Sequence, residues 1–180
     1  MSDPTNLDVP GPVGAPGPPR VGVLTVSSSR ARSGGADASG DALAELAGRF
    51  GGELAARDLV ADDRDAIAAV LRRHADELRC DLVLTTGGTG LTPDDVTPEA
   101  TAAVIDRPVP GIPEAMRAAS AEHTRYWMLS RATAGVRGRT LIVNFPGNPK
   151  AIVQTGDVLA GVVEHAVRLL RRADEGAVGG

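Results

Sequence analysis

Residues 85–90 read Thr85-Thr86-Gly87-Gly88-Thr89-Gly90, and Leu91-Thr92-Pro93-Asp94-Asp95-Val96-Thr97-Pro98-Glu99 follow at once. Glycine lacks Cβ, so such a backbone can take positive φ and come close to a bulky anion. Successive N–H groups can then line a nest for its oxygens, and Thr85, Thr86 and Thr89 add hydroxyl donors. A lone glycine loop leaves a plain strand-to-helix turn equally open. The aspartates that follow at once favour a ligand site. The loop is not a P-loop: the G-x-x-x-x-G-K-[ST] pattern is absent. So are a dinucleotide fingerprint after the first strand and a G-x-S-x-G elbow.

The elements around the loop suit that reading. Asp81-Leu82-Val83-Leu84 before it reads as a buried strand, and residues 100–105 after it as a helix. Thr97 is the expected N-cap, with Pro98 at the first helical position and Glu99 near the positive end of the dipole. In α/β proteins a strand–turn–helix junction of this kind is where ligands bind. A second junction lies at Phe145-Pro146-Gly147-Asn148-Pro149-Lys150, followed by one long helix over residues 151–172. Lys150 is the only lysine among nineteen basic residues. A compact ammonium there would reach a phosphate. A third lies where the strand at residues 21–26 runs into Ser27-Ser28-Ser29-Arg30. Hydroxyls and a guanidinium suit phosphate, though a solvated loop reads equally well.

The rest of the chain supplies the scaffold. Residues 31–39 read as a mobile polar loop. A helix from residue 41 carries Ala42, Leu43, Leu46, Ala47 and Phe50 on one stripe. A weaker strand lies within residues 53–60. Asp62 or Asp63 caps a helix bearing Ile67, Val70, Leu71 and Leu78; His74, near that stripe, reads as packed or half-exposed rather than a ligand. Residues 112–123 form a helix with Glu114 in its first turn. Tyr126 and Trp127 read as packing anchors. Residues 130–136 and 139–144 form a hairpin turning at Arg137-Gly138. One strand is therefore antiparallel in a mostly parallel sheet of an α/β fold.

Composition narrows the function. At 180 residues one domain is expected. Aromatics are 2% and the formal charge is −4, which argues against base-stacking surfaces and non-specific nucleic-acid binding. Cys80 is alone and reads as a small buried residue in a reducing compartment. With no membrane-length apolar run and no signal-peptide pattern, a cytoplasmic protein is expected. Residues 1–19 hold six prolines and three glycines and read as a disordered leader. The domain is expected over residues 20–173 and a flexible tail over 174–180.

Four ordered motifs resemble the MoaB/Mog proteins of molybdenum cofactor biosynthesis. The molybdopterin-binding domains of gephyrin-like proteins and of molybdopterin molybdenumtransferases share them. They are Thr85 to Gly90 with Asp95-Val96-Thr97-Pro98-Glu99-Ala100-Thr101; Pro110-Gly111 with Glu114; Ser130-Arg131-Ala132; and Pro146-Gly147-Asn148-Pro149-Lys150-Ala151. The resemblance spans about residues 21–170. It implies a three-layer α/β/α sandwich, often a homotrimer, that transfers the adenylyl group of Mg-ATP to molybdopterin, releasing pyrophosphate. Other cofactor-biosynthesis proteins are implied as partners. It implies catalytic roles for Asp62 and Asp95, with Asp95 near Mg²⁺. Ser28, Thr86, Gly87, Gly88, Thr89, Gly90, Glu114, Ser130, Arg131, Pro146, Gly147, Asn148 and Lys150 are the implied substrate- and nucleotide-binding residues. The family commonly has Asp where this chain has Ser29, and Asp37 is the residue expected to replace it. A non-catalytic molybdopterin-binding or carrier module of the same fold is the alternative reading.

Overall fold

The computed structural model describes residues 17–177, with side chains to residue 172. Residues 1–16 of the expected leader and 178–180 of the expected tail lie outside the described residues.

Strands β1 (Arg20–Val26), β3 (Leu82–Thr86) and β6 (Thr140–Phe145) are buried along almost their whole length. Their near-continuous Val, Leu and Ile runs are those of strands covered on both faces. With β2 (Glu53–Val60), β4 (Arg107–Pro108) and β5 (Ala134–Arg137) they form one sheet in the order β2-β1-β3-β6-β5-β4. The β2–β1, β1–β3 and β3–β6 pairs are parallel, whereas β5 runs antiparallel to both its neighbours. The expected single antiparallel strand is therefore β5.

Alternation along the strands splits the core in two. Val21, Val23, Leu82, Leu84, Leu141 and Val143 face α2 (Ala38–Arg49), α5 (Gly111–Ser120), α6 (Pro149–Gly156) and α7 (Val162–Ala177). Leu24, Val26, Val83 and Ile142 face α3 (Arg64–Arg72) and α4 (Thr97–Ala102). The result is the expected three-layer sandwich. No helix among the described residues is long and apolar enough to cross a membrane.

Several boundaries differ from expectation, each for a local reason. Residues 28–33 form a short helix, α1 (Ser28–Ser33), capped by Ser27. Helix α2 starts at Ala38 because Asp37 caps it. Asp63, and not Asp62, caps α3 by accepting from the Ala66 N–H. The expected long last helix is broken at Gly161, whose φ is +75°, and α7 then runs to Ala177, past the expected start of the tail at residue 174. The hairpin turn is Gly138-Arg139, and residues 130–133 lie outside β5. Residues 17–19, assigned to the leader, are held: Arg171 donates to the Gly17 and Pro18 carbonyls, and Glu53 N–H to Pro19 O. Phe50 and Phe145 are buried, but Tyr126 is 59% exposed and Trp127 only half-buried. The two larger aromatics are therefore not core anchors.

Two buried charged clusters brace the sheet. His74, in a π-turn over Arg73–Glu77, is buried against Gly22, where a Cβ would lie 2.3 Å from Nδ1. Its Nε2 meets Asp58 at 2.7 Å, and burial pushes its pKa down. Asp81 is buried at the start of β3 and receives the Arg171 guanidinium at 3.0 and 2.7 Å, Arg139 at 3.1 Å and the Arg20 N–H at 2.8 Å.

Candidate functional site

The three strand–turn–helix junctions converge because β1, β3 and β6 are adjacent and parallel. Their carboxyl ends open on one edge of the sheet, where α/β proteins place ligands.

The glycine loop is shaped by close backbone approach. Gly87 and Gly88 have φ of +97° and +64°. A Cβ at Gly87 would lie 2.2 Å from the Val26 carbonyl oxygen, at the end of β1. Gly87→Ala is therefore expected to cost about 1–3 kcal/mol. That is a fall in Tm of roughly 2–12 °C for a domain of this size, read by thermal unfolding. An unchanged Tm would show that the loop is free to move off β1.

Side chains lock this loop to its neighbours. Thr86 Oγ1 donates to Pro146 O at 2.8 Å, and a Cβ at Gly147 would lie 3.4 Å from Gly87 Cα, so the two turns touch. Ser39 Oγ donates to Gly147 O at 2.8 Å. Thr97 is not the helix cap: its hydroxyl donates back to Gly87 O at 2.8 Å, and its N–H to Gly88 O at 3.0 Å. Asn148 caps α6 by accepting from the Lys150 N–H at 2.9 Å. Lys150 is exposed in that first turn, and its ammonium makes no hydrogen bond or ion pair among the described residues.

Arg131 acts differently from a free phosphate clamp. Its N–H donates to Thr89 O at 3.0 Å and its Nε to Gly90 O at 2.6 Å. The guanidinium also donates to Asp95 O and pairs with Glu99. The whole group is spent on holding the glycine loop and the Asp95 turn. Ser130 beside it is half-buried.

The two carboxylates singled out are both fixed by short bonds. Asp62, released from helix capping, accepts from Ser28 N–H at 2.7 Å, while its own N–H donates to Ser28 Oγ at 2.9 Å. Asp95 Oδ2 accepts from the Thr92 N–H at 2.8 Å and the Thr92 hydroxyl at 2.7 Å. Burial opposes ionisation of Asp95. Hydrogen bonds from Thr92 and the Gly90 N–H, with the charge of Arg131, outweigh it and hold the pKa below the ordinary value.

Ser29 is exposed, its Oγ 3.1 Å from Ser27 Oγ. Asp37, the residue expected to replace that carboxylate, is already engaged by its neighbours. It is committed to capping α2 through Gly40 N–H at 2.9 Å, to the Thr25 hydroxyl at 2.7 Å and to Arg57 at 3.1 Å. Among the described residues no three His, Cys, Asp or Glu side chains gather as a metal cage.

Beside the turns lies a cavity of about 150 Å³, lined by Pro113, Met116, Trp127, Ser130 and Pro146 among others. It joins the Ser130 and Pro146 motifs to the first turn of α5, where Glu114 is exposed. Trp127 in this lining was read from the sequence as a packing anchor and not as a site residue, because the short apolar run Tyr126-Trp127-Met128-Leu129 looks like core by composition.

Comparison with known proteins places the chain in a family. The family described as probable molybdopterin binding domain matches residues 22–165. The molybdopterin adenylyltransferase of Helicobacter pylori strain J99 is 38% identical over 152 residues, covering 83% of this chain and 86% of that protein. The molybdopterin biosynthesis enzyme MoaB from Thermus thermophilus superposes with a TM-score of 0.79 at 45% identity, over 84% of this chain and 96% of that one. The molybdopterin biosynthesis Mog protein from Mycobacterium ulcerans gives a TM-score of 0.79 at 37% identity, over 84% and 99%.

Proposed function

Because the chain belongs to the molybdopterin-binding MoaB/Mog family of molybdenum cofactor biosynthesis, we propose that it is a molybdopterin adenylyltransferase using Mg-ATP. A phosphate oxygen of molybdopterin attacks the α-phosphorus of ATP. The bond between that phosphorus and the α–β bridging oxygen breaks, and pyrophosphate leaves. The observation that carries the reading is the meeting of three junctions at one sheet edge, with Asp62 and Asp95 fixed beside them.

Such a transfer rests on placement and charge neutralisation more than on covalent catalysis. Gly88 and Thr89 in the nest, and Gly147 and Asn148 in the second turn, receive phosphate oxygens through their backbone N–H groups, those of Gly87 and Gly90 being engaged by Phe145 O and Asp95. Thr86 and Thr89 border the first of these, and Ser28, Ser130 and Glu114 its surroundings. Lys150, exposed and unpaired among the described residues, swings onto a phosphate. Arg131 holds the loop in shape for them. Asp95 is the carboxylate that would hold Mg²⁺. An ion arriving with its nucleotide needs only one or two protein carboxylates, so a protein cage is not required. When bound it neutralises phosphate oxygens.

The test is pyrophosphate release by purified protein with Mg-ATP and freshly prepared molybdopterin. Release that depends on the pterin supports the transferase. Pterin binding without release supports the alternative of a non-catalytic binding or carrier module, which Ser29 and the commitment of Asp37 favour. We also propose a homotrimer: Tyr126, Met128, Leu129, Val153 and Val158 are exposed apolar side chains that an interface would cover. A monomer at micromolar concentration by light scattering would overturn it. A cytoplasmic setting, alongside other cofactor-biosynthesis proteins, fits the buried, unpaired Cys80.

A further inference from the structure

Asn144 is fully buried near the end of β6, where a parallel central strand ordinarily carries Val, Ile or Leu. Burying an amide there is costly unless its donors and acceptor are all met. They are met, by two elements and the segment that leads into β5. Its Nδ2 donates to Thr85 Oγ1 on β3 and to Thr101 Oγ1 on α4, each at 3.0 Å. Its Oδ1 accepts from Thr133 N–H at 3.3 Å, and its own N–H donates to Thr133 O at 3.0 Å. The Thr133 contact settles which way the amide points, since a backbone N–H can only donate.

Each partner leads to a different wall of the site. Thr85 precedes Thr86 and the glycine loop. Thr101 lies on α4, whose Thr97 grips the carbonyls of Gly87 and Gly88. Thr133 is two residues from Arg131, which grips Thr89, Gly90 and Asp95. Asn144 itself stands two residues before Pro146. We propose that Asn144 is the positioning residue of the transfer site. One side chain sets the glycine loop, the Arg131 clasp and the Pro146 turn in mutual register, without touching substrate.

An apolar residue of similar size would fill the space but leave Thr133 N–H and two threonine hydroxyls to find other partners. The three walls would then drift independently. A misplacement of about 1 Å in reacting groups can cost on the order of 10² in rate.

The experiment compares Asn144→Ala with Thr101→Val, which removes a single bond of the network, and with Val167→Ala, a stability control in the core under α7. Amide hydrogen exchange reads loop order without turnover. The Gly87, Thr97 and Arg131 N–H groups are expected to exchange at least about tenfold faster in Asn144→Ala than in Val167→Ala, with β1 amides unchanged between them. Thr101→Val should show the same selective effect at Thr97 and Gly87, and it decides the matter if Asn144→Ala does not fold. Equal exchange in the variants and the control, or a uniform rise across the sheet, would overturn the proposal. The turnover arm rests on the transferase reading; the exchange arm does not. In active protein, kcat is expected to fall roughly 10- to 100-fold in Asn144→Ala and less than about twofold in Val167→Ala. An inactive parent would sink the transferase alone, whereas an active Asn144→Ala with kcat matching the control would sink the positioning role.

Discussion

Replacing Asp95 by asparagine is expected to cut pyrophosphate release by about 10²–10³-fold, the usual cost of losing one electrostatic element of a preorganised site, while leaving the fold in place. The side chain has two separable duties. One is local: Oδ2 closes the 92–95 turn by accepting from the Thr92 N–H and hydroxyl. An asparagine carbonyl can accept the same two bonds. The other is its charge. Despite partial burial, the Thr92 and Gly90 hydrogen bonds and Arg131 keep the carboxyl ionised at neutral pH, and asparagine cannot supply that charge. Asp95→Asn therefore isolates the charge, whereas Asp95→Ala removes charge and turn together and should cost more in both rate and Tm. Pterin binding, carried by the backbone nests, is expected to survive in Asp95→Asn. Turnover within about tenfold of the parent would remove the carboxylate from the mechanism and leave Asp62 as the group to test.

The layered fold was legible because its signals are local and periodic. Continuous apolar runs gave β1, β3 and β6, and the residues at their ends gave the three junctions of the site. What sequence could not supply was the assignment of side chains among competing duties. Asp62 and Asp63 are equivalent by spacing. Only the fold shows that Asp63 caps α3, while Asp62 reaches across 34 positions to Ser28. Thr97 suits a cap by sequence, yet its hydroxyl is drawn to a carbonyl that the positive φ of Gly87 turns toward it. Arg131 suits a phosphate, but two carbonyls and Glu99 occupy it first. The Asp62 and Arg131 bonds span more than thirty positions and are invisible to any window along the chain, and the Thr97 bond, ten positions long, depends on a backbone turn that residue types alone do not show. Asn144 went unnoticed for the same reason.

Far from the site, Asp81→Asn is expected to destabilise the protein by about 3 kcal/mol. That is near the lower end for removing one partner of a buried ion pair, because the Arg171 side chain keeps 16% of its exposure. The Tm should fall by roughly 6–12 °C at about 2–4 °C per kcal/mol. Asparagine fills the space but leaves Arg171 and Arg139 without their carboxylate, and loosens the tie of α7 to β3 and to Gly17 and Pro18. The pH dependence identifies the cause. Burial alone would raise the Asp81 pKa; the bonds from Arg171 and the Arg20 N–H, with the charge of Arg139, outweigh it and lower it. The unfolded chain therefore binds this proton more readily than the folded one. The stabilisation is complete above the unfolded pKa of about 3.9 and is lost as pH falls through the lower folded value. His74 acts in the same direction in a higher window: its folded pKa is depressed, so unfolded chains take up its proton first and stability declines below about pH 6.5. Urea unfolding from pH 8 to pH 3 separates the two. Parent and Asp81→Asn should run parallel through the histidine window, offset by the lost pair, and converge below pH 4 as the parent loses what the variant never had. Curves that stay parallel to pH 3 would mean that the loss comes from packing and not from the charge of Asp81.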